Sequence, residues 1–95
     1  MKITNNDLEH MSILLKTMSD PTRLKILTLL FDEDYCVCCI SEKLEMTHSS
    51  ISHQLAILKK QRLVKSVRQG KHIIYSLDDG HINDIVNIAL NHVRE

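Results

Sequence analysis

The spacing of apolar residues changes twice along this chain, and those changes constrain its fold more than any other feature. Through about Gln61 the apolar positions recur at helical spacing. From Leu63 to Leu77 they alternate, and beyond Asp79 the helical spacing returns. The segments Leu63-Val64-Lys65-Ser66-Val67-Arg68 and His72-Ile73-Ile74-Tyr75-Ser76-Leu77 read as two strands around Gln69-Gly70-Lys71. Gly70 supplies the positive φ that so tight a turn needs. The expected class is mainly α with one β-hairpin, and 95 residues make one domain, 1–95.

The helices have recognisable starts. The first is expected near Asn5 or Asn6, both good caps, and carries Leu8, Met11, Leu14 and Leu15. Asp20-Pro21 is a capping Asp followed by Pro at the first helical position. The helix after it is apolar nearly all round and therefore central. A short helix over Val37 to Leu44, the Glu45-Met46 turn and a helix from Thr47 to about Gln61 make a helix-turn-helix. A hairpin directly after such a unit is a wing, which gives a winged helix-turn-helix. Asp78 or Asp79 caps the last helix. The first and last helices both carry more apolar surface than lone terminal helices should, so they are expected to join two copies as a homodimer.

The formal net charge is zero, but its distribution is uneven. Lys43, Lys59, Lys60, Arg62, Lys65, Arg68 and Lys71 lie between residues 43 and 72, against the single acid Glu45. Such a block is either a solvated basic face or the electrostatic footprint of a DNA-binding module. The helix Thr47-His48-Ser49-Ser50-Ile51-Ser52-His53-Gln54 sets short polar side chains opposite Ile51, Leu55 and Leu58. Groups of this kind reach base edges and phosphates. Arg68, Gln69, Lys71 and His72 at the wing tip would add phosphate or minor-groove contacts.

The segment Asp20-Pro21-Thr22-Arg23-Leu24-Lys25-Ile26-Leu27, the element Cys36-Val37-Cys38, Ser52-His53-Gln54-Leu55 and the wing Arg68-Gln69-Gly70-Lys71 together resemble the ArsR/SmtB family of metal-sensing repressors. The resemblance covers about residues 8 to 95. It implies a dimeric winged-helix protein that binds double-stranded operator DNA and is released by metal. The family's base-reading positions fall here on His48, Ser49, Ser52 and His53.

Asp79, His81, His92 and Glu95 bear on the metal. His81 and His92 are eleven residues apart, so they share one side of a helix but stand roughly 16 Å apart along it. Zinc–nitrogen bonds are about 2.0–2.1 Å long, so one helix cannot place both on one ion. Two antiparallel copies can, with Asp79 and His81 of one meeting His92 and Glu95 of the other across a two-fold axis. Two nitrogens and two oxygens suit Zn(II) or Co(II) better than soft metals. On spacing alone Asp79 is equally a helix cap, and two His on a helix are equally surface residues. The resemblance favours the site, since Asp-x-His-x10-His-x-x-Glu matches the family's C-terminal helix pattern. It also implies a relay from His92 to a backbone carbonyl near Arg62.

Cys36, Cys38 and Cys39 lie within four residues, too crowded for a framework of structural disulfides. They read as cytosolic thiols, and neither a signal peptide nor a membrane-spanning run is present, so a cytoplasmic protein without membrane contact is expected. Cys36 and Cys38 match the Cys-x-Cys that family members use for As(III), Cd(II) or lead. The third thiol of arsenic sensors falls here on Ser41, no Cys precedes Cys36, and Cys39 or His10 is the available substitute. Inert, buried thiols are the plain alternative. A thiophilic sensor at Cys36, Cys38 and Cys39 is thus the second reading. A zinc hydrolase using His81 and Glu95 is disfavoured, because four protein ligands leave no open position for catalysis. The expectation is a regulator and not an enzyme.

Overall fold

The computed structural model describes all residues, 1–95, as five helices and three strands. In chain order these are α1 (Asn5–Ser19), α2 (Pro21–Asp32), β1 (Tyr35–Cys36), α3 (Val37–Leu44), α4 (His48–Lys60), β2 (Val64–Gln69), β3 (His72–Leu77) and α5 (Gly80–Arg94).

Helix α1 is capped by Thr4 and not by Asn5 or Asn6. The Asp7 amide donates to the Thr4 hydroxyl and the Thr4 amide to the Asp7 carboxylate, each at 3.0 Å, a reciprocal capping box. The Thr4 amide and then its hydroxyl hold the Asp7 carboxyl below the usual carboxylate range. Asp20, Thr47 and Asp79 cap α2, α4 and α5 as their sequence positions predict.

The core lies where α2, α3 and α4 meet the base of the sheet. Ile26, Leu27, Ile40, Ile51, Leu55, Leu58 and Leu63 are fully buried there. Helix α2 is central, packing on α1, α3, α4, α5 and β3. Its nearly all-round apolar sequence answers to that position.

The wing pairs Val64 with Leu77 and runs to Gln69 opposite His72, leaving a two-residue loop. Gly70 has φ +61° at its first position, while Lys71 keeps negative φ, the arrangement of a type II′ turn. Two details depart from the sequence reading. Leu63 precedes β2, in the turn that Arg62 makes at φ +61°, and its side chain belongs to the core. The sheet also has a third strand: β1 pairs antiparallel with β3, Tyr35 opposite Tyr75 and Cys36 opposite Ile74, in the order β1-β3-β2. The wing is thereby tied to the start of α3.

Candidate nucleic-acid interface and metal half-sites

Helix α4 begins at Thr47, whose hydroxyl accepts from the Ser50 amide at 3.1 Å. Because Ile51, Leu55 and Leu58 are turned into the core, the opposite face is directed outward. His48, Ser49, Ser52 and His53 are all exposed on it. The approach to α4 is held by Ser41, which is buried and donates its hydroxyl to the Met46 carbonyl, while Glu45 takes the left-handed conformation at φ +54°. Ser41 is therefore engaged in the helix-turn-helix bend.

Gln54 is not a free reading group. The Arg23 guanidinium donates to its side-chain oxygen at 3.1 Å and to the Thr17 carbonyl of α1 at 2.8 Å. Arg23 thus joins the end of α1, α2 and α4, a role that its place in the sequence did not disclose. Two cations of the basic block are likewise engaged: Lys59 donates to Ser66 at 2.7 Å, and Lys43 lies over the Tyr35 ring, 5.2 Å from its centroid. Arg68, Gln69, Lys71 and His72 are exposed at the wing tip. The side chains that face outward are therefore small and polar on α4 and mainly cationic or polar at the tip, a surface fitted to phosphates and base edges.

The C-terminal end of α4 closes with a Schellman arrangement. The Leu63 amide donates to the Leu58 carbonyl at 2.9 Å and the Arg62 amide to the Lys59 carbonyl at 3.0 Å. None of the turn and cap hydrogen bonds ends on the Arg62 carbonyl, so it keeps an acceptor to offer.

Helix α5 carries Asp79 and His81 at one end and His92 and Glu95 at the other. His81 Nδ1 lies 3.4 Å from Asp79 Oδ2, and His92 Nδ1 lies 3.8 Å from Glu95 Oε2. All four side chains are at least half exposed. Asp79 caps α5 through Oδ1, which accepts from the His81 and Ile82 amides at 2.9 and 3.3 Å. Oδ2 takes neither amide, so capping leaves one carboxylate oxygen available. Desolvation raises the Asp79 carboxyl, but hydrogen bonds from the His81 side chain and from the His81 and Ile82 amides outweigh it and keep the group below its usual range. No three His, Cys, Asp or Glu side chains of a single chain converge on one point. Each end of α5 therefore presents two possible donors.

The same helices expose apolar surface. Leu8, Met11, Ile13 and Leu15 of α1 and Ile88, Leu90 and Val93 of α5 stand in water in the single chain. Between α1, α2 and α5 runs a cleft of about 360 Å³, lined by side chains such as Leu15, Met18, Leu24, Ile85 and Leu90.

The three thiols are free. Cys36 is the N-cap of α3 and half-buried, and its Sγ lies 3.4 Å from that of Cys39. Cys38 is exposed, and no hydrogen bond joins its sulfur to either of the other two. The Cys36 side chain closes no cap hydrogen bond, yet the Cys39 amide and thiol both favour its thiolate and pull its pKa down. The Cys39 thiol is pushed up by the same contact.

The sequence profile of the family described as "Bacterial regulatory protein, arsR family" matches residues 20–66, from the cap of α2 into β2. The chain is 34% identical to the Transcriptional repressor SmtB homolog of Synechocystis sp., over 92% of this chain and 66% of that protein. It is 38% identical to a Cadmium resistance transcriptional regulatory protein CadC homolog of Staphylococcus aureus, over 84% of this chain and 67% of that protein. The chain thus spans about two thirds of the length of these relatives. Among solved structures, the solution structure of apo-NmtR superposes with a TM-score of 0.85 at 31% identity, covering 99% of this chain and 79% of that one.

Proposed function

The chain belongs to the arsR family of bacterial regulatory proteins, and from that premise we propose that it is a homodimeric, metal-released repressor of transcription. As a member of a family of transcriptional regulators it is not an enzyme, which sets aside the hydrolase reading.

The observation that carries the metal reading is the division of α5 into two incomplete donor pairs on a helix whose apolar face is uncovered. Burying the faces of two α5 helices about a two-fold axis, antiparallel, sets Asp79 and His81 of one protomer against His92 and Glu95 of the other. Each of the two resulting sites has two imidazole nitrogens and two carboxylate oxygens, a donor set that fits tetrahedral Zn(II). Asp79 serves both readings of its position, capping through Oδ1 and keeping Oδ2 for the ion. A bound divalent cation supplies a fixed link between the two protomers.

His92 has two tasks in this scheme. One ring nitrogen binds the ion, and the other N–H is oriented towards the Arg62 carbonyl at the end of α4. The link joins the dimer interface to the reading helix and favours a spacing of the two reading heads that fits operator DNA poorly. On DNA, His48, Ser49, Ser52 and His53 read bases, and Arg68, Gln69 and Lys71 hold the backbone. The protein acts in the cytoplasm, and no helix is long and apolar enough to cross a membrane.

The cadmium resistance named for one relative suggests a soft-metal site at Cys36, Cys38 and Cys39 as an alternative to zinc. The helical site is favoured here, because Ser41 is engaged in the turn and Cys38 stands apart from the Cys36–Cys39 contact.

The test is operator binding by fluorescence anisotropy, with and without zinc. Zinc should weaken binding by about 5- to 150-fold, the range of ordinary coupling energies. His92→Ala should abolish the response, while replacing all three cysteines with Ser should preserve it. A cysteine-free protein that no longer responds, beside a His92→Ala protein that does, would place the sensor at the thiols.

A further inference from the structure

The contact between Cys36 and Cys39 is not used by the metal-released repressor described above. Three observations bear on it. The two sulfurs lie 3.4 Å apart across the first turn of α3, and both residues are free thiols. Cys39 is exposed and Cys36 only half-buried, so a small reagent can reach the pair. Cys36 also belongs to β1, opposite Ile74 of the wing strand β3, so the pair sits at the junction of wing and helix-turn-helix.

We propose that Cys36 and Cys39 form a redox-active dithiol site that closes to an intrachain disulfide on reaction with low-molecular-weight disulfides of the glutathione class, with Cys38 outside the pair. Sulfur–sulfur bonds are about 2.05 Å long, so closure requires the sulfurs to approach by ~1.4 Å. That distance lies within the reach of side-chain rotation at a helix end.

The exchange balances without any other reactant. The Cys36 thiolate attacks one sulfur of R–S–S–R, forming a Cys36–S–S–R mixed disulfide and expelling RS⁻. Cys39 then loses its proton and attacks the Cys36 sulfur, breaking the mixed disulfide and expelling the second RS⁻. The two thiol protons end on the two RS⁻ groups. Two protein thiols are oxidised and one small disulfide is reduced to two thiols. The exchange balances equally with the two sulfurs interchanged, since each lies 3.4 Å from the other.

Closure staples the N-cap of α3 to its first turn. Its consequence for the fold is local: the β1–α3 junction loses freedom while α5 and its donors are untouched. The dithiol site is therefore separable from the proposed zinc site, and either can fail without the other.

The test is equilibration of the whole protein in buffers of reduced and oxidised glutathione, read by intact mass and peptide mapping under denaturing, alkylating conditions. The parent and Cys38→Ser should each lose two hydrogens per chain through a Cys36–Cys39 linkage. Cys36→Ser and Cys39→Ser should not close at this pair. Each of these two variants should instead accumulate glutathione on its remaining thiol of the pair. Circular dichroism of each reduced variant establishes that it is folded. Closure that requires Cys38, linkages only between chains, or no closure in excess oxidised glutathione with the variants folded would each overturn the proposal.

Discussion

Replacing Ile88 with Ala isolates the proposed dimer interface from the stability of the single fold. Ile88 is 67% exposed in the single chain and stands beside Ile85, Ala89, His92 and Val93 on the open face of α5. The substitution removes three carbons, worth about 0.8 kcal/mol each when fully buried. About two thirds of that value is still to be gained when a partner covers the residue, roughly 1.6 kcal/mol per protomer. A two-fold interface repeats the loss, giving about 3 kcal/mol per dimer, or ~150-fold in the dissociation constant. The isolated chain should hardly notice, since the lost carbons already faced water. Exposed substitutions of this kind usually stay within about 0.5 kcal/mol. Sedimentation velocity from nanomolar to micromolar protein reads the first quantity, and thermal unfolding well below the dimer dissociation constant, where the chain is monomeric, reads the second. Operator affinity should fall with dimerisation, because both reading heads are needed together. A dissociation constant within threefold of the parent would refute the placing of α5 at the interface, and so would a stable parent monomer at micromolar concentration.

Three further outcomes test other parts of the molecule. Lys71→Ala should weaken binding to operator and unrelated DNA alike and lower the slope of log affinity against log salt by about one, measured by anisotropy at several salt concentrations. Gly70→Ala meets nothing within 4 Å of its new Cβ, so its cost is conformational alone; at φ +61° this is roughly 1–2 kcal/mol, seen as a lower melting temperature, and an unchanged melt would mean the turn is misplaced. The Asp7 carboxyl is depressed in the folded chain, so its stabilisation of α1 is present above the ordinary Asp range near pH ~3.9 and is lost as pH falls through the folded value. The Thr4 amide resonance should therefore titrate below that range in the parent and lose the transition in Asp7→Asn.

Features with local causes were legible in the sequence. Asp20 and Thr47 act through amides three positions away and Gly70 through its own backbone angle, and each stands where the sequence places it. The class of fold followed from the single alternating stretch. Strand β1 was not legible, because two residues cannot display alternation and Tyr35–Cys36 is a strand only by virtue of its pairing with Tyr75 and Ile74. The cap of α1 at Thr4 is legible only from the pair, since Asp7 three residues later is the acid partner of a capping box, whereas Asn5 and Asn6 are good caps by residue type alone. Gln54 looked like a reading group because helical periodicity shows which residues leave the core but not which of them a distant arginine holds.

The same limit governs the two candidate thiol and metal arrangements, in opposite ways. The eleven-residue separation of His81 and His92 along a helix excludes a shared ion within one chain, and that exclusion is pure geometry, available from numbering alone. The geometry leaves each end of α5 with two donors, so the proposed four-donor set draws on a second chain. The uncovered apolar face of the same helix supplies a reason for that chain to be there. For the cysteines, numbering is uninformative: Cys36, Cys38 and Cys39 are all neighbours, and any two might have met. What separates them is the start of α3, which places Cys36 at the cap and Cys39 at the third helical position, where their sulfurs touch. Long spacing thus leads to the proposal of a site between subunits, whereas short spacing needed the local fold to choose the pair.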